Sequence, residues 1–184
     1  AIATATSVTL GPASTLPART DCVYVFPVTA GVAGEINNTV SVSSNLFAGL
    51  EASASVYVLD APLVNKSYSE GDSMGIGNTT TLVITVENTE AVAIEGLRFT
   101  DTLDPRVTVQ GNVSVSPASC TTTTESASGQ TITVRGGVVP ANTVCSYEVT
   151  LRGVSEGPTF NTIVFNMSNA PSANVSDVQF NVLS

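Results

Sequence analysis

The sequence predicts an all-β fold, an antiparallel β-sandwich, and three observations carry that prediction. Apolar and polar side chains alternate with period two. Leu82, Ile84 and Val86 alternate with Thr81, Thr85 and Glu87, and Cys145, Tyr147, Val149 and Leu151 alternate with Ser146, Glu148, Thr150 and Arg152. Val178, Phe180 and Val182 alternate with Asp177, Gln179 and Asn181 in the same way. A strand with one dry and one wet face reads like this. Turn-forming pairs punctuate the chain at short intervals: Gly71-Asp72, Gly77-Asn78, Gly111-Asn112, Gly136-Gly137, Gly157-Pro158 and Ala170-Pro171. No window carries the i, i+3, i+4, i+7 apolar stripe of an amphipathic helix. Many short strands with regular turns indicate a sandwich of immunoglobulin type. The chain has no Trp, so the buried Trp of antibody domains is missing and the prediction concerns architecture alone.

The chain also repeats itself. Leu16-Pro17-Ala18, Cys22, Tyr24, Gly34 and Asn38-Thr39 recur as Val139-Pro140-Ala141, Cys145, Tyr147, Gly157 and Asn161-Thr162, always 123 positions later. The sequence therefore divides into a complete unit, Pro62–Ser184, and the second half of another copy, Ala1–Ala61. In the complete unit the expected strands are Leu63–Tyr68, Thr80–Asn88, Ile94–Asp101, Val107–Val115, Thr131–Val134, Val144–Arg152, Phe160–Met167 and Asn174–Leu183. The half unit supplies counterparts of the later ones: Thr6–Leu10, Asp21–Val28, Ile36–Ser44 and Ser53–Leu59. Four strands can form one sheet, but the apolar face of that sheet needs a second layer. The expectation is that strands from outside this chain complete residues 1–61. Asp60-Ala61-Pro62 is a short joint, so successive units would sit end to end.

Composition excludes several function classes. Charged residues make up 11% of the 184 residues and the formal net charge is -9. Ser and Thr together are roughly a quarter, so hydroxyls carry much of the polarity. A chain with one Lys, five Arg and a large acidic excess has no means of tracking a phosphate backbone, and anionic lipid repels it. Nucleic-acid binding is excluded. No apolar run reaches the roughly 20 residues of a membrane-spanning helix, so membrane insertion is not expected. His is absent, which removes the common general base and the usual zinc and triad chemistries. No Gly-rich loop links a strand to a helix to cradle phosphate. No cofactor is expected.

Three cysteines remain. Cys120 and Cys145 lie in the complete unit, and Cys22 is the repeat-mate of Cys145, with the mate of Cys120 falling just before Ala1. Each complete unit would then carry one disulfide, leaving Cys22 unpaired in this chain or paired with a residue outside it. Such a bridge would contribute on the order of 3 kcal/mol and would place the protein in an oxidising, extracytoplasmic compartment. The alternative is three buried thiols acting as small hydrophobes.

The run Leu97-Arg98-Phe99-Thr100-Asp101-Thr102-Leu103-Asp104-Pro105 resembles a signature of conserved repeat domains in bacterial and archaeal surface proteins, of the domain-of-unknown-function type. Lys66, Leu82-Val83-Ile84-Thr85-Val86-Glu87-Asn88-Thr89, Val139-Pro140-Ala141 ahead of Cys145, and Gly157 followed by Phe160-Asn161-Thr162 extend the resemblance over Pro62–Ser184 and, in half form, over Ala1–Ala61. Asp104 interrupts the usual Leu-Pro pair within a turn. The resemblance implies an immunoglobulin-like sandwich in tandem, a place outside the cell as stalk, adhesin or sheath material, and no catalytic activity.

Several residue sets could carry chemistry. Glu70 with Asp72, and Asp101 with Asp104, would bind Ca²⁺ if loops brought them together, or are simply solvated turn carboxylates. Lys66, the only lysine, either snorkels at a strand end or is buried. In some surface sandwiches a buried Lys joins an Asn covalently with a carboxylate assisting, and Asn161 with Asp101 would be the partners here. Asn37, Asn65, Asn78, Asn112, Asn166 and Asn174 head N-x-[ST] sequons, and Thr121–Thr124 could carry O-linked sugar. Val23 and Val25 stand where the complete unit has Ser146 and Glu148, so the strand Asp21–Val28 is apolar on both faces. Either a neighbouring unit covers it or the valines reflect strand propensity on a wet face.

Together these features predict a non-enzymatic extracellular structural protein, a repeat unit of a stalk, fibre or filament built head to tail from copies of itself or adjacent repeats. The alternative is an adhesin-type binding module for a glycan or partner protein, which would cluster aromatics on turns. Tyr24, Phe26, Tyr147, Phe160, Phe165 and Phe180 fall mostly within expected strands instead.

Overall fold

The computed structural model describes residues 2–3, 7–11, 15–44, 46, 49–175 and 178–184, and no helix occurs among them. The chain forms two units, 1–31 and 32–184. In the first, β1 (Ile2–Ala3) and β2 (Val8–Thr9) pair antiparallel and the rest is turn and irregular chain. The second opens with a ribbon of two antiparallel strands, β3 (Gly34–Val42) and β4 (Leu50–Val58). The remaining strands are β5 (Leu63–Tyr68), β6 (Ser73–Gly75), β7 (Thr79–Asn88), β8 (Ile94–Thr102), β9 (Val107–Ser116) and β10 (Thr124–Ser128). They continue with β11 (Thr131–Val139), β12 (Thr143–Gly153), β13 (Gly157–Thr159), β14 (Ile163–Phe165), β15 (Ala173–Val175) and β16 (Phe180–Leu183).

These strands make an immunoglobulin-like sandwich. One layer is the antiparallel sheet β5-β7-β12-β9. The other is β10-β11-β8, continued by a bridge between Arg98 on β8 and Asn166, next to β14, which pairs with β15. A third small sheet, β13-β16-β6, includes the parallel pair β16–β6. The alternation read from the sequence is the alternation of burial. On β7, Leu82, Ile84 and Val86 are fully buried, and on β12 so are Cys145, Tyr147 and Leu151. They share one core with Leu97, Phe99, Ile132, Val134, Ile163 and Phe165 of the opposite layer. Phe99 joins the layers, edge-on to Tyr147 at 5.5 Å and tilted on Phe165 at 5.0 Å, a geometry that suits the ring quadrupoles.

Several expectations need correction. Asp21–Val28 is not a strand but irregular chain. β12, 123 positions later, is hydrogen-bonded on both sides by β7 and β9, whereas no described strand pairs with 21–28 and its backbone has no ladder to join. Phe160–Met167 shrinks to β14, with β13 ending just before it, and Asn174–Leu183 is broken into β15 and β16, with Ser176 and Asp177 outside the described residues. Thr6 of the expected Thr6–Leu10 strand also lies outside them. Three of the glycine pairs expected to be turns lie inside strands, Gly157-Pro158 opening β13. Gly111-Asn112 sits at a register shift of β9 against β12, and Gly136-Gly137 at one of β11 against β8. Both are bulges, made possible by φ of 94° at Gly111 and 61° at Gly136. At Gly136 a Cβ would also collide with the Thr123 side chain.

Among the described residues of 1–61, Leu59 alone is buried. No helix of the described residues is long and apolar enough to cross a membrane.

Candidate functional site

Lys66, Asp101 and Asn161 are three of the polar residues buried in the sandwich. On β5 the pleat turns Asn65 and Ser67 outward and Lys66 inward. On β8, Asp101 continues the inward series Leu97 and Phe99. In the stretch from β13 to β14, Thr159, Asn161, Ile163 and Phe165 point in while Phe160, Thr162 and Val164 point out. Strand periodicity therefore delivers all three polar groups to places where an apolar side chain is expected. Relative exposures are 3% for Lys66, 0% for Asp101 and 5% for Asn161. Lys66 does not snorkel; it sits in the middle of its strand, and its Nζ lies 3.5 Å from Asp101 Oδ2 with both side chains fully enclosed.

The electrostatics of the cluster are unusual. Burial pushes the Asp101 carboxyl above the ordinary carboxylate range, against the opposing pull of the Lys66 charge and of the Asn161 amide beside it. Desolvating an ion pair costs several kcal/mol per ion, and a 3.5 Å contact is a poor geometry for recovering it. Asn161 is close enough to Asp101 to favour its ionised form. Even so, neither Asn161 Oδ1 nor Nδ2 completes a hydrogen bond of good geometry, and Asp101 Oδ1 has no partner either. Each such orphan costs about 1–3 kcal/mol. The core thus brings an amine and a carboxamide to one buried carboxyl.

Sequence reasoning did not include Tyr68 in this cluster. It follows Lys66 by one strand period, its ring lies 4.3 Å from that of Phe180, and burial with the nearby Asp101 charge pushes its phenol up to about 12. The register from Lys66 was the available signal. Asn88 was also missed. It is buried, and its amide donates to Val92, Val139 and Pro140 carbonyls at 2.9–3.0 Å, tying the ends of β7 and β11 together.

Elsewhere, Cys120 and Cys145 form a disulfide with Cα atoms 5.8 Å apart. Cys22 is free and exposed, so the reading of three buried thiols is wrong. Such a bridge belongs to an oxidising compartment. The paired carboxylates do not converge on a cation: Asp101 faces Lys66, Asp104 is held by Arg106 at 3.0 Å, and Glu70 and Asp72 are exposed on a turn. No cluster of three potential metal ligands occurs among the described residues. Asn37, Asn65, Asn78, Asn112 and Asn174 are exposed and Asn166 is half-buried, bonded to Ser172; Ser176 of the Asn174 sequon lies outside the described residues. Val23 and Val25 are 84% and 90% exposed. Tyr147, Phe165 and Phe180 are in the core, whereas Tyr24, Phe26 and Phe160 are exposed, against the expectation of a core-facing rhythm.

Residues 62–181 match the family described as Domain of unknown function, DUF7933. The chain belongs to the DUF7933 family. Among solved structures, this DUF7933 chain is similar to the C-terminal domain of the AgI/II polypeptide BspA of Streptococcus agalactiae. The TM-score is 0.52 at 14% identity, covering 81% of this chain and 59% of that one. A cohesin module from a Clostridium perfringens family 33 glycoside hydrolase aligns with TM-score 0.49 and 7% identity, over 66% of this chain and 96% of its own. The major pilin SpaD of Corynebacterium diphtheriae aligns with TM-score 0.42 and 16% identity, over 64% and 35%. At these identities the likeness to BspA shows the sandwich fold of the DUF7933 chain. No curated protein matches it significantly.

Proposed function

We propose that this chain is a non-enzymatic extracellular structural module, a tandem unit of a surface stalk or fibre in which each sandwich is completed across a unit boundary. One observation carries the reading. Ile163, Phe165, Ala173 and Phe180 of the complete unit are 0%, 0%, 8% and 0% exposed, while their repeat-mates Val40, Val42, Leu50 and Tyr57 are 52%, 63%, 73% and 37% exposed. The same pattern of side chains makes a core in one place and a wet ribbon in the other. What differs is the covering layer, which in the complete unit is the sheet β5-β7-β12-β9, three of whose strands lie within 62–116. The occupant that fits the bare ribbon is thus the first half of another copy of the unit, upstream in one polypeptide or supplied by a neighbouring subunit. Backbone pairing would give continuity and alternate apolar side chains would give register. A head-to-tail contact of this kind does not close on itself and propagates as a fibre. The disulfide supports the extracytoplasmic location.

The test is to graft residues 62–123 directly ahead of Ala1 and compare the extended chain with the original. Completion predicts that Cys22 loses its thiol reactivity by bridging the grafted copy of Cys120, and that amides of 34–58 become protected from hydrogen exchange. A reactive Cys22 and unchanged exchange would overturn the proposal.

A further inference from the structure

The buried cluster goes beyond a structural role in packing, and it stands independently of strand completion. We propose that Lys66 and Asn161 become joined by an intramolecular amide bond, formed spontaneously in the folded chain with Asp101 as the acid-base catalyst. The ingredients are an amine and a carboxamide on facing core positions with a carboxyl between them. Nζ is 3.5 Å from Asp101, and the Asn161 amide lies against the same carboxyl with neither of its polar atoms otherwise bonded.

The chemistry balances without an oxidant or co-reactant. Asp101 takes a proton from the Lys66 ammonium, converting a buried ion pair into a neutral amine and a neutral acid. Burial favours that exchange, because the charged forms are the ones penalised. The Nζ lone pair attacks Cγ of Asn161 while the Asp101 acid hydrogen-bonds to the amide and polarises it. The tetrahedral adduct collapses by breaking the Cγ–Nδ2 bond, with Asp101 relaying a proton to the departing nitrogen. Ammonia leaves and the Nζ–Cγ amide remains. Of the three ammonium protons, one stays on the new amide, one departs with ammonia and one is left on Asp101. Enforced proximity in a dry site supplies the rate that the reaction lacks in water. The product also removes the cost of the buried ions, since a neutral amide replaces the lysine charge and Asp101 stays protonated.

The experiment is the intact mass of the folded full chain, reduced and denatured before measurement. The expected mass lies below the sequence mass by one ammonia, and proteolysis yields a branched peptide containing both Lys66 and Asn161. Lys66→Met, Asn161→Ala and Asp101→Ala chains should have their full sequence masses. Should Asp101→Ala fail to fold, Asp101→Asn replaces it, with formation of the Cys120–Cys145 disulfide as the sign of a native sandwich. Folded wild-type protein at full mass would overturn the proposal. So would an ammonia loss that maps to a succinimide within one linear peptide, and a bond that forms as completely in a folded Asp101 variant would remove Asp101 from its role.

Discussion

Opening the Cys120–Cys145 bridge should cost the sandwich about 3.5 kcal/mol. The bond spans 25 residues of chain. In the chain-entropy account a loop of that length withholds about 12 cal/mol/K from the denatured ensemble, or about 3.5 kcal/mol at 25 °C. Reduction is the cleaner perturbation, because both sulfurs stay in the core and no cavity is created. Replacing both residues by Ala adds a packing loss, since Cys145 is fully buried beside β7 and Cys120 nearly so.

For a domain of about 120 residues the unfolding entropy is about 250 cal/mol/K, so a loss of 3.5 kcal/mol lowers Tm by about 14 °C. Thermal unfolding followed by tyrosine fluorescence, with and without reductant, reads this directly; thiol titration must show both cysteines reduced. The Asn161→Ala background gives the undiluted figure, because an amide between Lys66 and Asn161 would already close a larger loop around the disulfide. A shift below about 3 °C with both thiols titrated in that background would refute the entropy argument.

Phe165→Ala should cost about 3–5 kcal/mol in denaturant unfolding, whereas Val42→Ala at the repeat-mate position should stay within about 0.5 kcal/mol; equal effects would mean that the ribbon is packed after all. The Tyr147 hydroxyl is buried without a partner and its phenol is raised to about 12, as is that of Tyr68. A raised folded pKa gives stability that is complete below the unfolded pKa near 10 and lost as pH climbs through 12, on the order of 3 kcal/mol at most per tyrosine. Tyr147→Phe should therefore be neutral or slightly stabilising at pH 7 and should flatten the alkaline fall of stability; an unchanged alkaline slope would rule Tyr147 out. In the chain carrying residues 62–123 ahead of Ala1, Asn38 takes the place of Asn161 in a second sandwich, so intact mass should fall by a second ammonia. A single loss beside a protected 34–58 ribbon would separate the amide proposal from strand completion.

Strand existence was legible because period-two burial is a local property: β5, β7, β8, β9 and β12 fall within a residue of their predicted bounds. Context was not legible. Gly111 and Gly136 look like turns in sequence, and whether a glycine bends the chain back or bulges a continuing strand depends on the register of a partner strand. Asp21–Val28 has the composition of a strand and lacks the neighbours that would make it one. The short strands β6 and β10 carry little apolar alternation; β6 is held by parallel pairing with β16, far away in sequence. For the cluster, the residue types were visible and the face was not. Lys66 at a strand end would snorkel, and only its mid-strand phase opposite Ile84 on β7, together with the inward phase of Asp101 and Asn161, turns three common residues into one buried site.

The disulfide and the proposed Lys66–Asn161 amide would act on different threats. Tension applied across the sandwich enters near Leu63 on β5 and near Leu183 on β16. With Lys66 joined to Asn161, that tension passes through the amide, and the chain between them is shielded. Those residues represent roughly 320 Å of extended length that pulling cannot release. Both cysteines lie inside the shielded segment, so the disulfide contributes nothing to resisting extension; its effect is on the entropy of the thermally unfolded chain. Strands β5, β14, β15 and β16 bear the load outside the amide, and β5 is held by its ladder with β7, by the Tyr68 ring against Phe180 and by Lys66. A bond at Lys66, three residues from the start of β5, leaves almost no strand to peel before the covalent link is reached. In the stalk or fibre proposed above, that position is where a cross-link would do most.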